Sequence, residues 1–167
     1  MTASLTTLED AIRSAVIDAG TNTNVIFHFP NAPRPAFPYT SIQYLGVGEE
    51  INDWDIFDTT DNVNKQYGFR DITFTINTYG DNARQEASQL QGSLRKQTIR
   101  DSLRSIFSAS IMNMTPISDL TDLVDDEYEQ RASFDILINA NIEDGSSEDD
   151  TGYYDTVDYN WTNRPPV

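Results

Sequence analysis

Apolar residues spaced three and four positions apart open the chain and predict an amphipathic helix. The stripe consists of Leu5, Leu8, Ile12, Ala15, Val16 and Ala19. Thr6 or Thr7 can cap the start of this helix, since acidic residues follow within its first turn. Gly20 comes directly after the last apolar position and is expected to end the helix.

Short strands and a proline-rich connector follow the helix. Residues 25–29 predict a strand. Four prolines within residues 30–39 exclude a helix and most ladder hydrogen bonds, so an extended connector is expected there. Residues 40–47 predict a strand that ends at Gly46-Val-Gly48, and residues 49–64, with six acidic residues among turn formers, predict an exposed hairpin or loop.

The middle of the chain changes from strand to helix. Ile72, Phe74 and Ile76 alternate with polar residues and predict a strand that ends at Tyr79-Gly80. Two helical stripes follow, the first of Ala83, Ala87, Leu90 and Leu94 and the second of Ile99, Leu103, Ile106 and Phe107. The offset between the stripes predicts two helices, over 82–97 and 99–108. The predicted caps are Asp81 or Asn82 for the first helix and Thr98 with Asp101 for the second.

The last third of the chain contains the strongest alternation. Residues 111–117 predict a short strand with Pro116 at an edge, and residues 120–126 predict a turn or a further strand. A long central strand is predicted from the one-sided set Ala132, Phe134, Ile136, Ile138, Ala140 and Ile142. Residues 144–150 are predicted to form a polar, acidic linker before a last alternating segment.

These elements predict an α+β fold. A mostly antiparallel sheet is covered on one face by the N-terminal helix and the central helical pair. The predicted division is a domain over residues 1–145 and an acidic linker with a C-terminal strand or arm over residues 146–167. That last segment has two interpretations. Tyr153, Tyr159 and Trp161 either complete the chain's own sheet or anchor an arm or edge strand to a partner, and we favour the arm or edge strand.

Composition excludes several classes of chemistry. Of the 167 residues, 27 are acidic and 11 basic, which leaves a net charge of −16, with no cysteine and one histidine. Thiol catalysis, disulfides and thiolate zinc sites are therefore excluded. A chain this acidic should be repelled by nucleic-acid phosphates. No apolar run approaches the roughly 20 residues that a membrane-spanning helix needs.

The candidate catalytic and metal-binding residues are weak. His28 lies between two phenylalanines in a short predicted strand and has no partner in a recognisable catalytic set. Acidic pairs, such as Asp53 with Asp55 or Asp58 with Asp61, are expected by chance in so acidic a chain. The 144–150 segment lacks the ligand order of a calcium loop, and no phosphate-binding loop or nucleophile elbow occurs. The sequence thus predicts no catalysis, no cofactor and no metal.

Charge is distributed unevenly along the chain. Segment 81–107 holds five basic residues against three acids, a net of +2, whereas segment 118–158 holds 14 acids against one arginine, a net of −13. Such a distribution suits head-to-tail contact between identical subunits, which closes into a ring when the rotation allows. Equally, the basic residues could simply solvate helix faces and offset acids of the same subunit. The candidate interface residues are Arg84, Arg95, Arg100 and Arg104.

Several segments together resemble a known family. They are the run Asn31 to Tyr39 (Asn-Ala-Pro-Arg-Pro-Ala-Phe-Pro-Tyr), Phe69-Arg-Asp71 opening a strand that ends in Tyr79-Gly-Asp81, Ala83 with the Leu90 and Leu94 helix, and Arg131-Ala-Ser-Phe134. In these features the chain resembles the neck and tail terminator proteins of tailed bacteriophages. The resemblance covers residues 5–145 and includes a fold similar to the tail terminator of lambda-like phages.

The resemblance implies a virion structural protein of the phage neck, assembled in the host cytoplasm. Its subunits would form a ring, typically a hexamer, that caps the tail tube, ends tube polymerisation and joins the head connector. The implied partners are further copies of the chain, the tail-tube protein and the connector, with a tail sheath as an additional candidate. DNA would pass through the ring without being specifically bound.

A different class of protein is the alternative. Trp54, Tyr153, Tyr154 and Trp161 could instead form a particle-surface or extracellular binding module for a carbohydrate or protein ligand.

Overall fold

The computed structural model describes residues 5–20, 24–28, 34–58, 63–124 and 127–147. Within these ranges the helices are α1 (Leu5–Ala19), α2 (Ala83–Leu94) and α3 (Gln97–Phe107). The strands are β1 (Val25–Phe27), β2 (Tyr39–Asp58), β3 (Val63–Tyr79), β4 (Ser110–Met114), β5 (Ser118–Asp119), β6 (Asp122–Val124), β7 (Glu127–Glu129) and β8 (Arg131–Ser147). The predicted α+β class is confirmed.

The six-stranded sheet has the order β1-β2-β3-β8-β4, and β5 pairs with the first residues of β8. Strand β1 runs parallel to β2, and every other pair in this sheet is antiparallel. Strands β6 and β7 form a separate two-stranded sheet. The long, one-sided alternation in β8 is explained by its position, because β8 lies between β3 and β4.

The core lies between the three helices and one face of the sheet. On β3, Phe74 and Ile76 stand opposite Ile136 and Phe134 of β8, and all four side chains are buried. The apolar stripes of α1 and α2 cover this face, and both helices contact each other. Burying one such aliphatic or aromatic side chain contributes roughly 1.5–3 kcal/mol, so the two central strands and the helix stripes hold the fold together.

Helix α1 agrees with its prediction at the C-terminal end. Leu8, Ile12 and Val16 are buried, and the Gly20 amide donates a hydrogen bond of 2.9 Å to the Val16 carbonyl. The predicted start cap at Thr6 or Thr7 is wrong, because α1 begins at Leu5 and both threonines lie within its first turn. Strand β1 confirms the strand predicted over 25–29 as far as Phe27, whereas residues 29–33 lie outside the described part of the chain.

The predicted break between two central helices is confirmed, and so is Asn82 as the N-cap position of the first of them, whereas the predicted cap of the second is wrong. Asn82 is the N-cap of α2 and makes no side-chain capping hydrogen bond. Helix α3 begins earlier than expected, with Lys96 as its N-cap in extended conformation, so Thr98 lies within the first turn instead of ahead of it. The Asp101 carboxylate accepts a 2.6 Å hydrogen bond from the Gln97 side chain.

Strand β2 corrects the prediction that it ends at Gly46-Val-Gly48. It continues to Asp58, and the glycines lie in a stretch where the β2–β3 register shifts, between Tyr44 and Gly46 and again between Val47 and Glu50. Bulges admit extra residues without ending the pairing, because β3 continues to offer backbone partners. The hairpin predicted over 49–64 is confirmed as the end of this β2–β3 pair.

Strand β8 corrects the start of the predicted acidic linker. Residues 144–147 belong to β8, and Ser146 and Ser147 stand opposite Lys65 and Asn64 of β3. Backbone pairing with β3 carries the strand past the point where its apolar alternation ends. Residues 148–167, with the predicted C-terminal strand or arm, lie outside the described residues.

Two weaker predictions are settled by the strands between α3 and β8. Strand β4 confirms the strand predicted over 111–117 but ends at Met114, so Pro116 follows it. Residues 120–126 were predicted to form a turn or a strand, and the strand is confirmed at β6.

Candidate interaction surfaces

Of the four arginines proposed for a subunit contact, Arg95 and Arg100 line one groove, and Arg84 and Arg104 are not among its lining residues. All four side chains are exposed. Arg84 lies in the first turn of α2 and Arg95 directly follows its last residue. Eleven residues of helix separate them by about 16 Å. Arg104 lies in the last turn of α3, where its positive charge interacts favourably with the helix dipole.

Arg84 acts on an acid of its own chain. The hydroxyl and the amide of Thr121 donate hydrogen bonds of 2.6 and 3.1 Å to the Asp119 carboxylate. These bonds lower the pKa of Asp119, and the nearby positive charge of Arg84 lowers it further. Arg84 thus lies close enough to an acid of its own chain to influence it.

Arg95 and Arg100 are brought together around a groove. The groove has a volume of about 250 Å³ and lies between the α2–α3 turn and β4. Besides the two arginines it is lined by Leu94, Ile111, Met112, Asn113 and Met114. Met112 is 62% exposed, although it is a large apolar residue. The structure thus places a basic rim beside apolar residues of β4, a pairing that the helical stripe alone could not reveal.

A second surface extends the sheet beyond the helices. We define the distal ribbon as residues 46–58 of β2, 63–73 of β3 and 140–147 of β8. Strand β1 pairs with β2 only at residues 40–42, and β4 pairs with β8 only at residues 136–139. Within the described ranges, the outer edges of the ribbon therefore carry no further strand. Unpaired edges of this kind are templates for strand addition.

The distal ribbon also carries apolar side chains in contact with water. Ile56 and Phe57 are about half exposed, at 49% and 51%, and Val47 is exposed as well. Trp54 stacks on Tyr67 with ring centroids 6.4 Å apart and contacts Phe69 at 5.6 Å. Exposed apolar residues grouped on one element indicate a protein contact surface. The acidic residues of 49–64 concealed this surface at the sequence level, where only Trp54 was noted.

The connector before β2 is held by an arginine and aromatic cluster. The Arg34 Nε donates a 2.9 Å hydrogen bond to the Tyr39 hydroxyl, and Arg34 also forms an ion pair with Glu129. Tyr39 stacks on Tyr79 with ring centroids 4.4 Å apart. The guanidinium carbon of Arg131 also lies over the Tyr79 ring, 5.3 Å from its centroid. The hydrogen bond to Glu129 raises the pKa of Arg34, and burial raises the pKa of Tyr39.

On the sheet face opposite the helices, polar side chains form hydrogen bonds to one another across neighbouring strands. Thr75 donates to Asp135 at 2.6 Å, and the Asn139 amide donates to Asp71 at 2.7 Å. Arg131 donates to Asn77 at 2.9 Å. These cross-strand hydrogen bonds explain why polar residues occupy every second position in β3 and β8.

The residues considered for catalysis and metal binding are not assembled into a site in the described ranges. His28 is exposed, and its backbone amide donates to the Ile42 carbonyl at 2.8 Å. Asp55 is exposed, while the side chains of Asp53, Asp58 and Asp61 lie outside the described residues. No group of three or more acidic or histidine side chains that could hold a metal occurs in the part of the chain described.

No helix among the described residues has the length and apolar content to cross a membrane. Tyr153, Tyr154, Tyr159 and Trp161, the aromatic residues proposed for docking or ligand binding, lie outside the described residues.

Comparison with known proteins identifies a family and a similar fold. A family model described as phage neck terminator protein matches residues 6–164. That match extends beyond residues 5–145, so it includes most of the C-terminal segment. The fold is similar to the sheath/tube terminator of PVC, an extracellular contractile injection system, solved by cryo-EM in the extended state, with a TM-score of 0.53 and 12% identity. The similarity covers 89% of this chain and 60% of that chain. No curated protein matches.

Proposed function

Because the chain belongs to the phage neck terminator family, we propose that it closes the tail tube as a ring of identical subunits and joins that end to the head connector. The protein is a structural component of the phage neck and tail and acts within the virion. The observation that carries the proposal is the extent of the family match, which covers residues 6–164. The proposed partners are further copies of the chain in a hexameric ring, the tail-tube protein, the connector and a tail sheath.

Two surfaces support self-association. The distal ribbon offers unpaired strand edges and exposed apolar side chains, including Ile56 and Phe57. At about 3.3 Å per residue, its β2 section of 46–58 is about 40 Å long, enough to reach across a neighbouring subunit. A ring needs two different surfaces on each subunit, because its contacts are heterologous.

The second surface is the basic rim of the groove. Arg95 and Arg100 are exposed there, and the acidic segment 118–158 of another subunit, with its net charge of −13, is the complementary partner. The proposed contact leaves out Arg84 and Arg104, because neither lines the groove and Arg84 lies near Asp119 of its own chain.

The net charge suits a ring through which DNA passes. A chain with a charge of −16 repels phosphates at short range, so a channel wall made from it would not retain the genome. We propose no catalytic activity and no cofactor for this role.

Electron microscopy of the purified full-length protein tests the ring directly. We expect closed rings with a central hole, and we expect the rings to bind one end of assembled tail tubes and to stop their growth. A protein that stays monomeric at every concentration and does not bind tubes would disprove the proposal. Bound glycan without any ring would favour the binding-module alternative.

A further inference from the structure

The groove at the α2–α3 turn has the features of a docking site for a peptide segment. Apolar residues of α2 and β4, namely Leu94, Ile111, Met112 and Met114, line it, although more of its exposed lining is polar than apolar. Its volume of about 250 Å³ is below the range of about 300–1,000 Å³ typical of small-molecule sites. A groove of this size fits a single large side chain of a bound segment better than a free small molecule.

The rim of the groove selects for negative charge. Arg95 and Arg100 are exposed, and within the described ranges neither guanidinium forms an ion pair or a hydrogen bond to a carboxylate. The one acid beside them on α3, Asp101, accepts a hydrogen bond from Gln97. Both positive charges are thus available to an external anionic group.

The chain itself contains a segment with the matching chemistry. Residues 148–158 carry five acidic residues and no basic residue. Aromatic anchors lie within and just after them, namely Tyr153, Tyr154, Tyr159 and Trp161. Aromatic side chains supply most of the binding energy in many protein contacts, and acids beside them would meet the arginine rim. We propose that the groove binds the C-terminal segment, residues 148–167, of a second copy of the chain.

For Tyr153 and Tyr154, geometry favours a second copy over the chain's own segment. Ser147, the last described residue of β8, pairs with Asn64 at the far end of the distal ribbon. The groove lies beside β8 at residues 136–138, about 30 Å back along the strand. Tyr153, six residues beyond Ser147, reaches only about 20 Å when fully extended, so it cannot enter its own groove. The same residue of a neighbouring subunit is not limited by this distance.

This inference rests on the proposed ring, because the ring is what places a second groove near the C-terminal segment. It goes beyond the ring by naming the residues that meet. The segment would act as an arm that links each subunit to the next, so the surfaces of opposite charge recognised in the sequence would be joined in one contact.

Photo-crosslinking of the full-length protein tests the inference. Tyr153→benzoylphenylalanine places a crosslinker in the segment, and mixing ¹⁵N-labelled with unlabelled chains distinguishes contacts between chains from contacts within one chain. We expect crosslinks between chains to the peptide that contains Met112 and Met114. The double variant Arg95→Glu with Arg100→Glu should lower the yield by about tenfold, since two attractions become repulsions.

Matched variants separate docking from a general charge effect. Arg84→Glu with Arg104→Glu makes the same charge change outside the groove and should leave the crosslink yield unchanged. Asp155→Arg with Asp158→Arg should restore crosslinking to the reversed groove. The inference would be overturned by crosslinks to another region or by crosslinks within one chain only. It would also be overturned by a crosslink yield that stays the same after charge reversal at Arg95 and Arg100.

Electron microscopy of the same samples separates this inference from the proposed function. Rings without the expected crosslink overturn the inference and leave the ring intact. The crosslink without closed rings supports the docking contact and contradicts the ring. Absence of both overturns both.

Discussion

The ionised side chain of Glu86 destabilises the folded chain. Its Oε2 atom is buried and has no hydrogen-bond partner among the described residues. Desolvation by burial raises the pKa of this carboxyl above its ordinary value. The positive end of the α2 dipole favours an anion near the helix start and acts in the opposite direction, but burial is the larger influence. The ionised side chain is therefore less favourable in the folded chain than in the unfolded chain.

Glu86→Gln should make the protein more stable at neutral pH. Because the folded-state pKa lies above the unfolded-state value, the folded chain binds more protons there, and the stability that Glu86 contributes falls as the pH rises above about 4.5. We expect the variant to gain up to about 1 kcal/mol in free energy of unfolding at pH 7, and the gain to shrink towards pH 4. Urea denaturation across this pH range measures it. A gain that increases towards acid pH would show that the helix dipole prevails.

At the scale of elements, the turn from β3 into α2 depends on the conformation of Gly80. This residue has a φ of +123°, a region that side-chain-bearing residues rarely adopt. A Cβ atom at Gly80 would also lie 3.0 Å from the Cβ of Pro38, in the connector that enters β2. The turn therefore brings two chain segments so close together that a side chain at Gly80 would make an unusually tight contact. Gly92 differs, because a Cβ there would meet no atom within 4 Å.

The two glycines form a matched pair for substitution by alanine. Gly80→Ala should lower the free energy of unfolding by about 1–3 kcal/mol, because the backbone strain and the contact with Pro38 add. Gly92→Ala, inside α2, should raise it by about 0.5–1 kcal/mol, because alanine is the better helix former. Thermal and chemical denaturation measure both effects. Equal effects of the two substitutions would contradict this account of the turn.

Elements also show which local patterns survive tertiary folding. The stripes of α1 and α2 and the alternation of β3 and β8 were predicted correctly, since burial of one face imposes those periods on the sequence. The lengths of β2 and β8 were underestimated. Ladder hydrogen bonds use backbone atoms that every residue except proline supplies, so pairing with β3 extends both strands through stretches without apolar alternation.

At the scale of the whole molecule, the charge of −16 acts through its distribution. Screening reduces the interaction of exposed charges beyond about 10 Å at 0.1 M salt, so attraction between subunits depends on which charges come close. The groove rim offers Arg95 and Arg100, and Arg84 is already near Asp119. Assembly that uses this rim should therefore depend on salt.

Charge reversal should weaken assembly selectively at low salt. For Arg95→Glu with Arg100→Glu, we expect the association constant between subunits to fall by about tenfold at 50 mM salt and by much less at 500 mM. Sedimentation velocity at both salt concentrations measures the change. Arg84→Glu with Arg104→Glu serves as the control of equal charge. If the two double variants assemble equally well, the rim is not a subunit contact.

The sequence by itself determined the α+β class, the positions of the core strands and helices, and the resemblance to neck terminators. These follow from local periods of burial and from residues adjacent in the chain. Only the tertiary structure decided that Arg95 and Arg100 share a groove with Met112 while Arg84 lies apart beside Asp119. That grouping depends on where β4 returns against the α2–α3 turn, a long-range arrangement that no local pattern encodes.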